Sequence, residues 1–277
     1  MNTKYLNPLI VLSFAVLFSM CSSPQPTEKI ASGSTYEELV QFFNDWREFE
    51  SPEIIDGVPD YSLASMKKQY AELITWQDRL NNFDTTGWPI KHQIDWYLIW
   101  AEMNGLDFAH RVKQPWSRDP AFYVWFYPYP TDVPEREGPN MFGAVELPKY
   151  KQPLSAEDAA EITTRFKMAP AVFETAKVNL TGNGKDLWVL GTRSIREQSG
   201  EFASFAEKVK DSFPELAAAA LEAKEASDQL AVWLDEQAPL KTGTSGVGKE
   251  NYTWNLKNVH LLPYTWEDEV LLMDREL

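Results

Sequence analysis

Apolar residues return at intervals of three and four along most of the chain, and no stretch alternates apolar with polar for long enough to build a sheet. This pattern predicts an all-α protein, a multi-helix array with a long proline- and aromatic-rich loop and little or no β structure. The first predicted helix opens at Ser34-Thr35-Tyr36-Glu37-Glu38, where a hydroxyl and a carboxylate three residues on can satisfy the first free N–H groups. Tyr36, Leu39, Val40, Phe43 and Trp46 then share one face. A second helix fits Ser62 to Asn82, with Met66, Tyr70, Leu73, Ile74 and Leu80 inward. A third runs from Ile90 to Val112, and its centre, Trp96 to Trp100, is apolar nearly all round, which places it deep in the core.

Prolines crowd the stretch from Pro115 to Pro153 and alternate with Trp116, Phe122, Tyr123, Trp125, Phe126, Tyr127 and Tyr129. Proline at this density prevents long helices, so the expectation is an ordered loop with one short extended run at Phe122–Tyr127. Helices resume at the capping box Ser155-Ala156-Glu157-Asp158, with Pro170 kinking or restarting the helix and Gly182-Asn183-Gly184 ending it. Further segments fit Asp186–Gln198, weakened by Gly191, then Phe202–Lys210, and an alanine-rich helix from Pro214 to Gln237. Two last segments follow at Tyr252–Val259 and Trp266–Leu277. In the final one Thr265 and Asp268 form the N-terminal signal, and Trp266, Val270, Met273 and Leu277 make an apolar stripe that no Gly, Asn or Pro closes. Such a stripe needs cover. The expected cover is sequence following residue 277, the chain then being truncated, or else another subunit.

Eleven Trp, fifteen Phe and eleven Tyr in 277 residues suffice for a large core. The formal charge of −15 repels phosphate backbones, which argues against nucleic acid as a partner. Residues 1–21 read as a leader: Lys4 supplies a basic start, Leu9 to Met20 an apolar run too short to span a bilayer, and Cys21, the only cysteine, a lipidation site. The match to a lipoprotein leader is incomplete, since Phe18 and Met20 stand where leucine and a small residue are usual. Residues 22–33 then form a flexible tether to a helical domain over 34–277. Acyl chains on Cys21 would hold the protein at a membrane of the bacterial cell envelope, on the periplasmic side or at the outer membrane.

Candidate chemistry is sparse. Residues 243–250 approach a phosphate-binding loop, but Glu250 puts a carboxylate where the hydroxyl for magnesium belongs, and the segment follows a helix. Gly243-Thr244-Ser245-Gly246 lacks the glycine that a nucleophile elbow needs two places after its serine. The three histidines, His92, His110 and His260, form no His-Glu-x-x-His pair, so no metal ligands are assigned. His92/Asp95 and Asp107/His110 share helical faces as solvated or capping contacts. Trp125 and Tyr127, in the aromatic loop, are candidates for stacking on a peptide or glycan; the competing expectation is that these rings pack over the helical core.

Four segments, taken in order, carry a resemblance. They are Trp116-Ser-Arg-Asp119-Pro120-Ala-Phe-Tyr123, Arg165 to Leu180 with its Pro170 and Asn179-Leu180, the alanine-rich run Ala217–Leu234 followed by Gly246 to Leu256, and Tyr264 to Glu269. Together they resemble the N-terminal half of the bacterial "domain of unknown function 885" family, over roughly residues 35–277. The resemblance implies a helical, often lipid-anchored protein about twice this length, zinc-peptidase-like, with a His-Glu-x-x-Pro-Gly-His motif in its second half. No residue here matches that motif, so zinc is implied only for full-length members and no catalytic or metal residue carries over. The chain is therefore expected to be inactive alone, supplying a scaffold and one wall of a peptide cleft, with Gly248 and Tyr252 on that wall. The alternative is a non-catalytic helical lipoprotein that binds peptide or glycan through Trp125 and Tyr127.

Overall fold

A computed structural model describes residues 33–130 and 141–276. The leader, Cys21 and the tether lie outside the described residues. The fold is all-α, with two minimal strand pairs. Helix α1 (Tyr36–Glu50) starts on the expected capping box: Thr35 Oγ1 accepts the Glu38 N–H, and Glu38 returns a bond to the Thr35 N–H. A hairpin of β1 (Ile54–Ile55) and β2 (Val58–Pro59) leads to α2 (Leu63–Asn81) and α3 (Ile90–Phe108). These three helices enclose one core, in which Leu39, Phe42, Trp46, Leu73, Leu80 and Met103 are buried.

Two expectations for this unit fail. Ile74 points outward, 58% exposed, and α3 is not deep in the core. Its Ile99 and Met103 face inward, but Ile94, Tyr97 and Leu98 lie on the surface. Among the described residues α1 and α2 pack on one side of this stretch, and the side bearing Ile94, Tyr97 and Leu98 is left exposed.

After α3 the backbone widens into one π-turn (Ala109–Lys113) and reverses at Gln114, which takes a left-handed conformation (φ 44°). The aromatic segment is more structured than a loop. It holds the single turn α4 (Pro115–Arg118), a 3₁₀ turn (Pro120–Tyr123) and β3 (Phe126–Tyr127), which pairs in parallel with β4 (Val145–Glu146).

The second core is built by α5 (Ala156–Asn179), α6 (Lys185–Val209) and α7 (Pro214–Gln237). Helix α7 packs on both α5 and α6, and the aromatic segment packs on the same two helices. Helix α5 passes Pro170 without a break, because Phe166, Ala169, Val172 and Phe173 are buried on both sides of it. The two helices expected over 186–210 are one. Ile195, Ser199, Phe202, Phe205, Ala206 and Val209 continue the buried face at intervals of three and four straight through Gly200. Last come α8 (Lys249–Asn258), which packs on α3, and α9 (Trp266–Glu276), which packs on α8.

The glycine-rich turn before α8 braces the start of α6. Gly243 O accepts the Lys185 N–H at 3.0 Å, and Ser245 Oγ accepts the N–H of Asp186. Arg118 reaches from α4 to the carbonyls of Val112, Thr244 and Ser245, tying the turn to the aromatic segment. This is a structural strut between helices rather than a phosphate loop or an elbow.

Candidate functional site

The aromatic segment is interior. Trp125 is completely buried: its backbone N–H donates to Gln198 Oε1 at 2.8 Å and its indole Nε1–H to the Arg165 carbonyl at 2.9 Å. It therefore offers no ring face to a ligand, which corrects the expectation of a stacking platform and fits the competing one. Phe126 packs against Phe166, Phe202 and Phe205 with centroids 5.1–5.3 Å away. Tyr123, also buried, donates to the Trp116 carbonyl at 2.7 Å, and burial raises its hydroxyl pKa. Tyr127 is half-buried on β3, while Tyr129 and Phe142 remain exposed. The segment fills the space between α5 and α6 because its prolines stop it from forming a helix of its own, leaving large flat rings as filling.

Gly248 and Tyr252 lie elsewhere, on α8. Gly248 is its N-cap with φ 86°, and the Tyr252 N–H bonds the Gly248 carbonyl at 2.9 Å. Tyr252 is partly exposed. The four candidates thus fall on two parts of the molecule, two on the segment between α5 and α6 and two on the helix that packs against α3.

The histidines are apart and in different settings. His92 stacks on Tyr36 with centroids 3.7 Å apart, and the Tyr36 hydroxyl donates to Asp95 at 2.8 Å. His260 is exposed beyond α8. His110 is not solvated, as expected from sequence, but buried. Gln69 Nε2 donates to the carbonyls of Phe49 and Glu50, which leaves its Oε1 to accept from His110 Nε2 at 2.9 Å. Trp116 and Tyr70 flank the imidazole, and burial pushes its pKa down to about 4, partly opposed by Asp107. Among the described residues no group of three or more His, Cys, Asp or Glu is arranged to hold a metal. Among the described residues His92 is committed to a stack and His110 to a buried amide, so neither fits the zinc implied for longer members of the resembled family.

The described residues also form surface cavities, two of them larger than 300 Å³. One, about 350 Å³, lies between α1 and α3 over Leu39, Val40, Phe43 and Leu98, with Asp95 at one end and Glu102 at the other. Glu102 accepts from Trp46 Nε1 and pairs with Arg47 at 2.6 Å, and burial, the largest influence, raises its carboxyl pKa. The second cavity, about 380 Å³, lies between α6 and the end of α7. Sequence reading missed both, because each is made by residues far apart in the chain. The outer faces of α3 and α9 carry exposed apolar side chains; on α9 Val270, Leu271, Leu272 and Met273 are all exposed.

No protein-family model and no curated protein matches the chain. A solved structure does: a candidate lipoprotein of unknown function from Shewanella oneidensis, with a TM-score of 0.55 and 16% identity. The match covers 88% of this chain and 46% of that one, so the chain spans less than half the length of that protein. At this identity the likeness shows the fold alone.

Proposed function

We propose that this chain is the N-terminal scaffold of a longer, envelope-anchored, zinc-peptidase-like protein, held at a membrane through lipid on Cys21, with its reacting groups supplied by sequence beyond residue 277. The observation that carries the reading is the pairing of a fold match to 46% of a longer lipoprotein-like chain with uncovered apolar faces on α3 and α9. Exposed apolar stretches on two helices are what a half-structure presents when the other half buries them. The described residues contain no helix long and apolar enough to cross a membrane.

The scaffold's part in the chemistry is mechanical. It would form one wall of a peptide cleft, with Gly248 and Tyr252 at the start of α8 on that wall. The reading expects the DNA following codon 277 to encode further helical sequence with a His-Glu pair, and the purified chain to hold no stoichiometric zinc and to leave peptides intact. Peptide cleavage by this chain alone would overturn it. The alternative, ligand binding through the aromatic segment, loses Trp125 as a stacking face, because that ring is enclosed.

A further inference from the structure

The cavity between α6 and α7 has an unusual lining for a chain of net charge −15. Lys185, Arg193, Arg196 and Lys241 border it, with Asp235 as the single carboxylate among the lining residues. Two of the four cations are neutralised: Arg196 pairs with Asp235 at 2.6 Å and Arg193 with Glu197 at 2.7 Å. The other two have no ion pair among the described residues. Lys241 is the more telling. Its ammonium sits 3.9 Å over the ring of the fully buried Trp188, and partial burial lowers its pKa. A cation–π contact leaves the full positive charge in place, so the ammonium can still pair with an anion. Lys185 is the first residue of α6 and its side chain is exposed. Val189 and Pro239 supply an apolar wall beside the charges.

We propose that this cleft is a binding site for a small organic phosphomonoester, its dianionic head between Lys241 and Lys185 and its apolar body against Val189 and Pro239. Two uncompensated ammonium groups match a dianion better than a monoanion, and the apolar wall distinguishes an organic ester from free phosphate. The proposal is independent of the scaffold reading, because it concerns only residues within the described fold.

The test is calorimetric titration of the full chain at low ionic strength, where screening is weak, with hexyl phosphate, hexanoate and inorganic phosphate as probes. Hexyl phosphate should bind saturably with one site and more tightly than either other probe. Lys241→Met and Lys185→Met should each weaken it by about tenfold or more, while Lys208→Met, at the far end of α6, should leave it unchanged. Lys185 is exposed on the first turn of α6, so its variant serves even if Lys241→Met disturbs the packing on Trp188. Equal affinity for hexanoate would overturn the dianion, and equal affinity for inorganic phosphate would overturn the apolar wall. No saturable heat up to roughly 5 mM, or unchanged binding in both lysine variants, would overturn the site.

Discussion

Ser245 caps helix α6 at a separation of 59 residues: its hydroxyl oxygen accepts the Asp186 N–H at 2.8 Å and the Leu187 N–H at 3.3 Å. The residue at the cap position itself, Gly184, has no side chain with which to do this. The cap arrives from the turn before α8, so one hydroxyl couples the start of α6 to the α7–α8 connection. Ser245→Ala should lower unfolding free energy by about 1 kcal/mol, or about 2–4 °C in midpoint for a domain of this size. Urea denaturation followed by circular dichroism measures it. An unchanged midpoint would mean that the Gly243–Lys185 backbone bond alone holds the turn.

Two glycines in α6 should respond to alanine in opposite directions. A Cβ on Gly191 would lie 2.7 Å from the Ala121 nitrogen and 2.8 Å from Pro120 Cβ, against the backbone of the 3₁₀ turn. Gly191→Ala should destabilise by about 1–3 kcal/mol despite the better helix propensity of alanine. A Cβ on Gly200 meets nothing within 4 Å. Gly200→Ala should therefore stabilise by roughly 0.5–1 kcal/mol. Both are read from denaturant midpoints, and the same sign for both would refute the packing argument.

The same two glycines show where sequence reading stops. Helical periodicity and the capping signals at Thr35, Ser155 and Thr265 are local, within four residues, and all three appear in the structure. Gly191 reads locally as a weak point of a helix, whereas its role is to admit the backbone of Pro120 from some seventy residues earlier in the chain. Gly200, next to Ser199, reads as a break, yet Ser199 donates to Asp228 on α7 and the helix runs on. The all-round apolarity of α3 was legible, but which of its sides would be covered was not. The local pattern counts apolar residues without counting the helices available to bury them. The basic cleft was invisible for the same reason, since Lys185 and Lys241 border one cavity only because Gly184 pairs with Gly243 and the Thr242 N–H bonds the Asn183 side chain.

Trp125 separates a filling role from a binding one. Replacing a fully enclosed indole that makes two hydrogen bonds should cost about 3–5 kcal/mol in Trp125→Ala. Tyr129→Ala, at an exposed ring, should shift stability by less than about 0.5 kcal/mol. Thermal unfolding of the two variants decides between the roles. A Trp125→Ala protein as stable as the parent would show that the ring is not part of the core.

His110 should give the molecule a pH-dependent loss of stability that a single substitution removes. Its folded-state pKa, about 4, lies below the ordinary value of 6.5, so between these limits the unfolded chain binds more protons. Stability from this group is therefore complete above pH 6.5, falls as the pH drops, and is gone below pH 4. The full loss amounts to about 3 kcal/mol. The cause is burial of the imidazole between Trp116 and Tyr70, where a second ring proton would bring a charge that Asp107 only partly offsets. His110→Gln retains a group able to donate to Gln69 but cannot titrate. The difference between the parent and variant urea midpoints should be constant above pH 6.5 and shift progressively toward the variant as the pH falls to 4. A difference that stays flat across that window would show that His110 is free to protonate in the folded protein.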